Sequence, residues 1–397
     1  MSGPARGCRT GAPLRFCLAL VAFLVVLVPW WTARHDAEGA FPGFVVTPAP
    51  SVTETRPFFR TMEINPQSPE RKAHSSTLAE LPDGTLAAAW YAGSGEGARD
   101  VTIQMATQAG DGVWSAPRVI FGRERVAESM RRFVLSLGNP LLFTDEKGRL
   151  GLLFVSIAAG KWSGSSMNLA WSSDAGRTWT NPEKLTLNPL ANLSALPRNP
   201  PVPLVGGGWA VPIYEEFLGR FPELLWIRPR DPAALAAVSR MDDGMSVFQP
   251  AVVALSPERG LAFYRDDSGA GRVFLASSAD CGRTWGERQP SDLPNVDSGM
   301  CALRLPDGRL LCAVNDSPNR KRENLRLALS SDGGQTWRYI ATLAEERGEN
   351  FDYPYMILGR DGRVRMLYSS RGRRIVYAEF NSAWIDSQVA GSREVRP

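Results

Sequence analysis

Apolar residues along this chain come in short runs, each entered from a turn that carries glycine. The turns centre on Gly84, Gly148, Gly208, Gly260, Gly308 and Gly362, and the runs that follow are 85–90, 149–154, 209–212, 261–264, 309–312 and 363–368. Successive glycines lie 64, 60, 52, 48 and 54 residues apart. Each turn joins two β-rich runs, and no long amphipathic helical stretch competes with them. Short strands at even spacing, punctuated by Gly and aromatic residues, predict a propeller. Six units of about four strands each predict an all-β fold, a six-bladed β-propeller closed into a ring.

A second repeat runs through the first. The octet Ser-x-Asp-x-Gly-x-Thr-Trp occurs at 172–179, 278–285 and 330–337. The last two aspartates, Asp280 and Asp332, are 52 residues apart, and Asp174 lies 106 before Asp280, close to twice that. A unit of about fifty residues therefore repeats, and one copy between the first two octets has lost its signature. Asp is suited to bonding the backbone two residues on, and Gly to positive φ. The octet thus reads as a hairpin turn stapled by its own side chains, with an indole to bury. Three interchangeable copies cannot all line one site, so Asp174, Asp280 and Asp332 are assigned no chemistry.

The remaining composition narrows the picture. The chain has 397 residues with 45 basic and 41 acidic side chains, a net charge of +4. No basic block is present, which argues against nucleic acid, and the small excess of Arg favours an acidic ligand. Residues Phe16 to Trp31 form an uninterrupted apolar run behind Arg6, Arg9 and Arg15. This predicts a signal anchor, or a cleaved signal peptide, with the propeller exported, to the periplasm in a bacterium. The expected layout is a leader at 1–33, a Pro-rich linker at 34–55, the propeller at 56–384 and a tail at 385–397. Of five cysteines, Cys8 and Cys17 fall in the leader. Cys281, Cys301 and Cys312 are too few for a disulfide framework, and the last two read as buried free thiols. No Cys/His spacing suggests zinc, so neither metal nor cofactor is expected.

Asp-box (BNR) repeats on a six-bladed propeller resemble the sialidase (neuraminidase) superfamily, over about residues 70–384, and within it the bacterial branch of predicted neuraminidases. The resemblance implies a carboxylate held by three arginines, whose planar forks bond it bidentately. Arg265 matches the second, and Arg322 the third. Tyr353 matches the family's tyrosine nucleophile, with Tyr355 as its rival on the same strand face. His74 stands where the first arginine is expected, and Gln249 where the glutamate that activates the tyrosine is expected. Glu96 or Asp100, in a Gly-rich loop, falls at the acid/base position.

These replacements change the expected chemistry. Gln249 cannot take a proton from the tyrosine. His74 is a base near neutral pH, and a His facing a Tyr among arginines resembles the ulvan-type polysaccharide lyases. Glu215 and Glu216 end a strand and could replace the missing glutamate, although a solvated pair is the plainer reading. Asn139, Asn199 and Asn315 lie near inner-strand ends, where they could bond sugar hydroxyls. The expected function is cleavage of a glycosidic bond beside an acidic sugar. The alternatives are a uronate polysaccharide lyase and a non-catalytic glycan-binding propeller in polysaccharide export or assembly.

Overall fold

The structure is a computed structural model that describes residues 20–21, 42–46, 54–66, 72–110, 112–187, 193–228, 234–390 and 393–395. The apolar run at 16–31 lies outside these residues apart from Leu20 and Val21. Among the described residues no helix is long and apolar enough to cross a membrane.

Six antiparallel sheets of four or five strands form the blades of a β-propeller. Their innermost strands are Lys72–Glu80, Ser136–Thr144, the broken pair Leu196–Pro197 and Val202–Pro203, Val247–Ala254, Cys301–Arg304 and Phe351–Leu358. The ring closes by exchange of termini. Phe59–Glu63, first in the chain, pairs with Arg374–Phe380 as the outer strand of blade six. Asn381 secures this closure: its Oδ1 accepts from Phe58 N–H at 3.0 Å and from Trp384 N–H at 2.9 Å, capping the helix Ser382–Val389.

The predicted glycine turns join the first and second strands of their blades, with Gly84, Gly148, Gly208, Gly308 and Gly362 all at positive φ. Gly260 instead opens the second strand of blade four. The apolar runs are continuous rather than alternating because each blade is covered on both faces. Leu86–Gly93 and Leu150–Ile157 are buried at every position.

The octets join the third and fourth strands of blades two, four and five, so the lost copy belongs to blade three. Their bonding differs from expectation in one respect. Asp174 reaches four residues on, to Thr178 N–H and Thr178 Oγ at 2.8 and 2.7 Å. The nearer N–H groups fall to the serine: Gly176 N–H donates to Ser172 Oγ at 2.8 Å. Asp280 and Asp332 repeat this pattern.

Part of the stretch read as a linker is docked. Phe44 is fully buried; its N–H donates to Pro257 O and the Val45 N–H to Pro203 O, both at 2.8 Å. Cys301 and Cys312 are buried free thiols.

Candidate functional site

Four inner strands share one irregularity. Each loses register by one residue against its neighbour, at His74/Thr77, Gly138/Leu141, Phe248/Ala251 and Asp352/Tyr355. Within each bulge one non-glycine residue takes positive φ: Ser75 at 51°, Asn139 at 43°, Gln249 at 48° and Tyr353 at 52°. Three are followed by Pro140, Pro250 and Pro354, which lack an N–H, so the bulge withdraws no donor from the ladder there. A left-handed side chain costs on the order of 1–2 kcal/mol. Four such residues at one level of the ring mark strain held at a site. Bulges re-aim side chains, and all four residues line one cavity of about 250 Å³ at the mouth of the ring.

Its other lining residues are His74, Tyr91, Glu96, Trp162, Arg198, Tyr214, Glu216, Arg220, Phe248, Arg265 and Arg322. Three of the bulges are bonded to the inner segment of blade three, residues 197–199. Asn139 Nδ2 donates to Pro197 O at 3.1 Å, and Asn199 Nδ2 to Pro250 O at 2.9 Å. Arg198 Nη2 donates to Pro354 O at 3.1 Å, across from blade three to blade six.

Tyr353 stands at the centre. The Arg198 guanidinium lies 4.8 Å from its ring centroid and that of Arg322 lies 5.8 Å away. Arg265 lines the same cavity and interacts electrostatically with Tyr353. Gly299 closes against it: a Cβ there would meet the Tyr353 ring at 2.7 Å, so only glycine leaves the ring its place. Arg265 is held by Asp297, at 2.9 Å from Nε, and by Gln249 Oε1, at 2.9 Å from Nη1. Arg322 pairs with Asp352 at 3.1 Å. Arg198 differs from both. It is buried, its Nε has no partner, and among the described residues no carboxylate pairs with it. Burial pulls its pKa down, a direct sign that its charge lacks solvation.

His74 meets Tyr353 edge-on, with ring centroids 4.5 Å apart. Its Nδ1 is buried without a partner. Burial, then repulsion by Arg322, Arg198, Lys72 and Arg265, lowers its pKa to about 3. It is therefore a neutral imidazole at physiological pH and does not supply the missing arginine's charge. Gln249 Nε2 donates to Tyr214 Oη at 3.2 Å and Asn139 Nδ2 to the same oxygen at 3.1 Å. That hydroxyl's own hydrogen can point into the cavity, and burial raises its pKa further.

Of the residues singled out by sequence, the cavity gathers His74, Glu96, Asn139, Gln249, Arg265, Arg322 and Tyr353. Asp100, Asn199 and Asn315 do not line it; Asn199 is buried and donates to the Gln249 and Pro250 carbonyls. Asp100 turns back on its loop, where its carboxylate accepts from Ser94 N–H at 3.0 Å and Ser94 Oγ at 2.9 Å. Asn315 is buried, and donates to the Asn324 and Phe351 carbonyls instead of facing a ligand. Tyr355, the rival tyrosine, is fully buried and faces the larger apolar cavity at the opposite end of the ring. The bulge separates it from Tyr353, overriding strand alternation.

Sequence reading missed Arg198, Tyr214 and Trp162, and favoured a solvated pair for Glu216, which lines the cavity. One signal was available. Proline recurs at 140, 200, 250 and 354, at intervals of 60, 50 and 104, the last again near twice the repeat. It marks the bulges and would have drawn attention to Arg198, two residues before Pro200.

A model of the BNR repeat-like domain matches residues 84–366. No match was found among curated proteins. Among solved structures, a protein of unknown function from Dyadobacter fermentans superposes with a TM-score of 0.64 at 15% identity, over 81% of this chain and 99% of that one. The Hadza microbial sialidase Hz136 gives 0.64 at 18%, over 78% of this chain and 65% of its own. The Trypanosoma rangeli sialidase bound to 2,3-difluorosialic acid as a covalent intermediate gives 0.63 at 13%, over 85% and 60%. At such identities the likeness establishes the fold.

Proposed function

The chain belongs to the BNR repeat-like domain family, and from that premise we propose a glycosidase that releases a terminal sugar bearing a carboxylate. One observation carries the reading: Arg198 joins Arg265 and Arg322 around Tyr353, and it is a buried cation with no anion of its own. A buried unpaired charge is unfavourable by several kcal/mol, so the site is built for an incoming anion. Guanidinium forks suit a carboxylate.

In this reading the arginines bind the sugar carboxylate, Tyr353 attacks the anomeric carbon, and His74 accepts the tyrosine hydrogen that Gln249 cannot. An anion among the arginines removes their repulsion of His74. Burial, the larger cause of its weak basicity, persists, so His74 returns the proton as the intermediate breaks down. The edge contact of His74 with Tyr353, where Gln249 stands in the expected glutamate's place, also supports a second reading, β-elimination from a uronate polysaccharide. Export through the N-terminal apolar run is part of the proposal and rests on sequence alone; protease protection in intact and permeabilised cells tests it.

The decisive experiment incubates the full chain, Tyr353→Phe and His74→Ala with a fluorogenic sialoside and with uronate polysaccharides. Free sugar that is lost in Tyr353→Phe supports the glycosidase. Unsaturated uronate absorbance that is lost in His74→Ala replaces it with the lyase. Glycan binding without either product overturns both.

A further inference from the structure

We infer that Glu216 is the proton donor to the leaving oxygen, an acid on blade three rather than on the Gly-rich loop of blade one. The inference rests on the glycosidase reading. Glu216 opens the loop between the second and third strands of blade three, on the face that holds the cavity, and it lines that cavity. Its backbone is pinned on both sides. Its N–H donates to Ser194 Oγ at 2.7 Å, and its carbonyl accepts from Ser163 Oγ at 3.3 Å, next to Trp162. Among the described residues no hydrogen bond or ion pair engages its carboxyl group, which leaves it for a ligand.

The competitors are engaged elsewhere. Asp100 is held by Ser94 and lies outside the cavity. Glu96 is exposed and accepts the Trp162 indole N–H at 2.9 Å. The charged groups facing Glu216 are Arg220 and Arg265, which favour its ionised form, and Asp267 and Glu96, which oppose it; Tyr214 stands in the same wall. Burial outweighs the arginines and keeps its pKa above the ordinary carboxylate range, as a general acid requires.

The step balances. Tyr353 oxygen bonds the anomeric carbon as its hydrogen passes to His74. The glycosidic C–O bond breaks, and its electron pair on the leaving oxygen takes the Glu216 proton. Water then attacks the anomeric carbon, giving one proton to the Glu216 carboxylate, and Tyr353 departs and recovers its hydrogen from His74. One water is consumed and every side chain is restored.

Two glycosides of one acidic sugar test this in the full chain. One carries 4-nitrophenol, which leaves without a proton, and the other an alkyl alcohol, which does not. Glu216→Gln should lower kcat/KM about 10²–10⁴-fold on the alkyl glycoside and far less on the aryl one, and should erase the alkaline limb of the pH profile. Equal losses on both substrates with the limb intact would mark a structural role and overturn the assignment. So would the same selective loss in Glu96→Gln with Glu216→Gln unaffected. A wild-type chain silent on both glycosides overturns the glycosidase reading and the assignment with it.

Discussion

The Asp-box turns and the inner-strand bulges are both repeated devices, and both force non-glycine residues to positive φ. Ala175 and Cys281 stand at 58° and 63° in two boxes, against 43° to 52° at Ser75, Asn139, Gln249 and Tyr353 in the bulges. They differ in where their bonds go. The box side chains close on themselves: those of Asp174 and Ser172 bond only within the octet, and the preceding blade reaches only box carbonyls, as Arg118 does at Gly176. The bulges bond across blades, and each presents a different side chain. Repetition of residue with backbone builds scaffold. Repetition of backbone with varied residues builds a site, because the ring delivers each side chain to one shared cavity.

The comparison can be broken most sharply at Arg198. Arg198→Met should lower kcat/KM on an acidic glycoside by about two to three orders of magnitude, with a much smaller loss of binding for a neutral analogue. Steady-state kinetics on the pair would decide; equal losses would remove the arginine from carboxylate recognition.

Acid stability should separate the regions next. His74 has a folded pKa of about 3 against an ordinary 6.5, so the unfolded chain binds the extra proton. Stability is complete above pH 6.5 and falls as pH drops toward 3, by at most about 1.4 kcal/mol per pH unit. Asp174, lowered from 3.8 to about 2 by its bonds to Thr178, is lost only in that lower window. Denaturant melts across pH should therefore show His74→Asn flattening the upper window alone. An unchanged slope would mean His74 is not held neutral.

A box variant should do the reverse of Arg198→Met. Asp280→Ala, which removes bonds to Thr284 N–H and Oγ, should cost about 1–2 kcal/mol of stability and leave kcat/KM within twofold. Activity lost in proportion to Arg198→Met would erase the distinction between staple and site. The smallest effect is expected of Ala175→Gly, which relieves the left-handed strain in the first box and should change stability by roughly 0.4–1 kcal/mol in the favourable direction. A lower melting temperature would show that the alanine methyl packs rather than strains.

Blade count and the lost octet of blade three were legible along the chain. Tyr353, Arg265 and Arg322 came from the likeness of their surroundings to family motifs, and all three line the cavity at the bulges. Asp100 and Asn315 were misplaced because sequence position put them near strand ends without saying which way they turn. Arg198 was missed although Pro200 beside it repeats the interval of Pro140 and Pro250, and Glu216 was read as solvated because its burial comes from other blades.

What the chain determined by itself is local. An octet's Asp and Ser side chains close their bonds within eight residues, so the staple is carried by the sequence that holds it. What the tertiary structure decided is convergence. Arg198 meets the Pro354 carbonyl from 156 residues away, and a one-residue bulge sends Tyr353 to the funnel and Tyr355 to the core. Both depend on six blades closing into a ring, and ring closure fixes distances that no neighbouring residues encode.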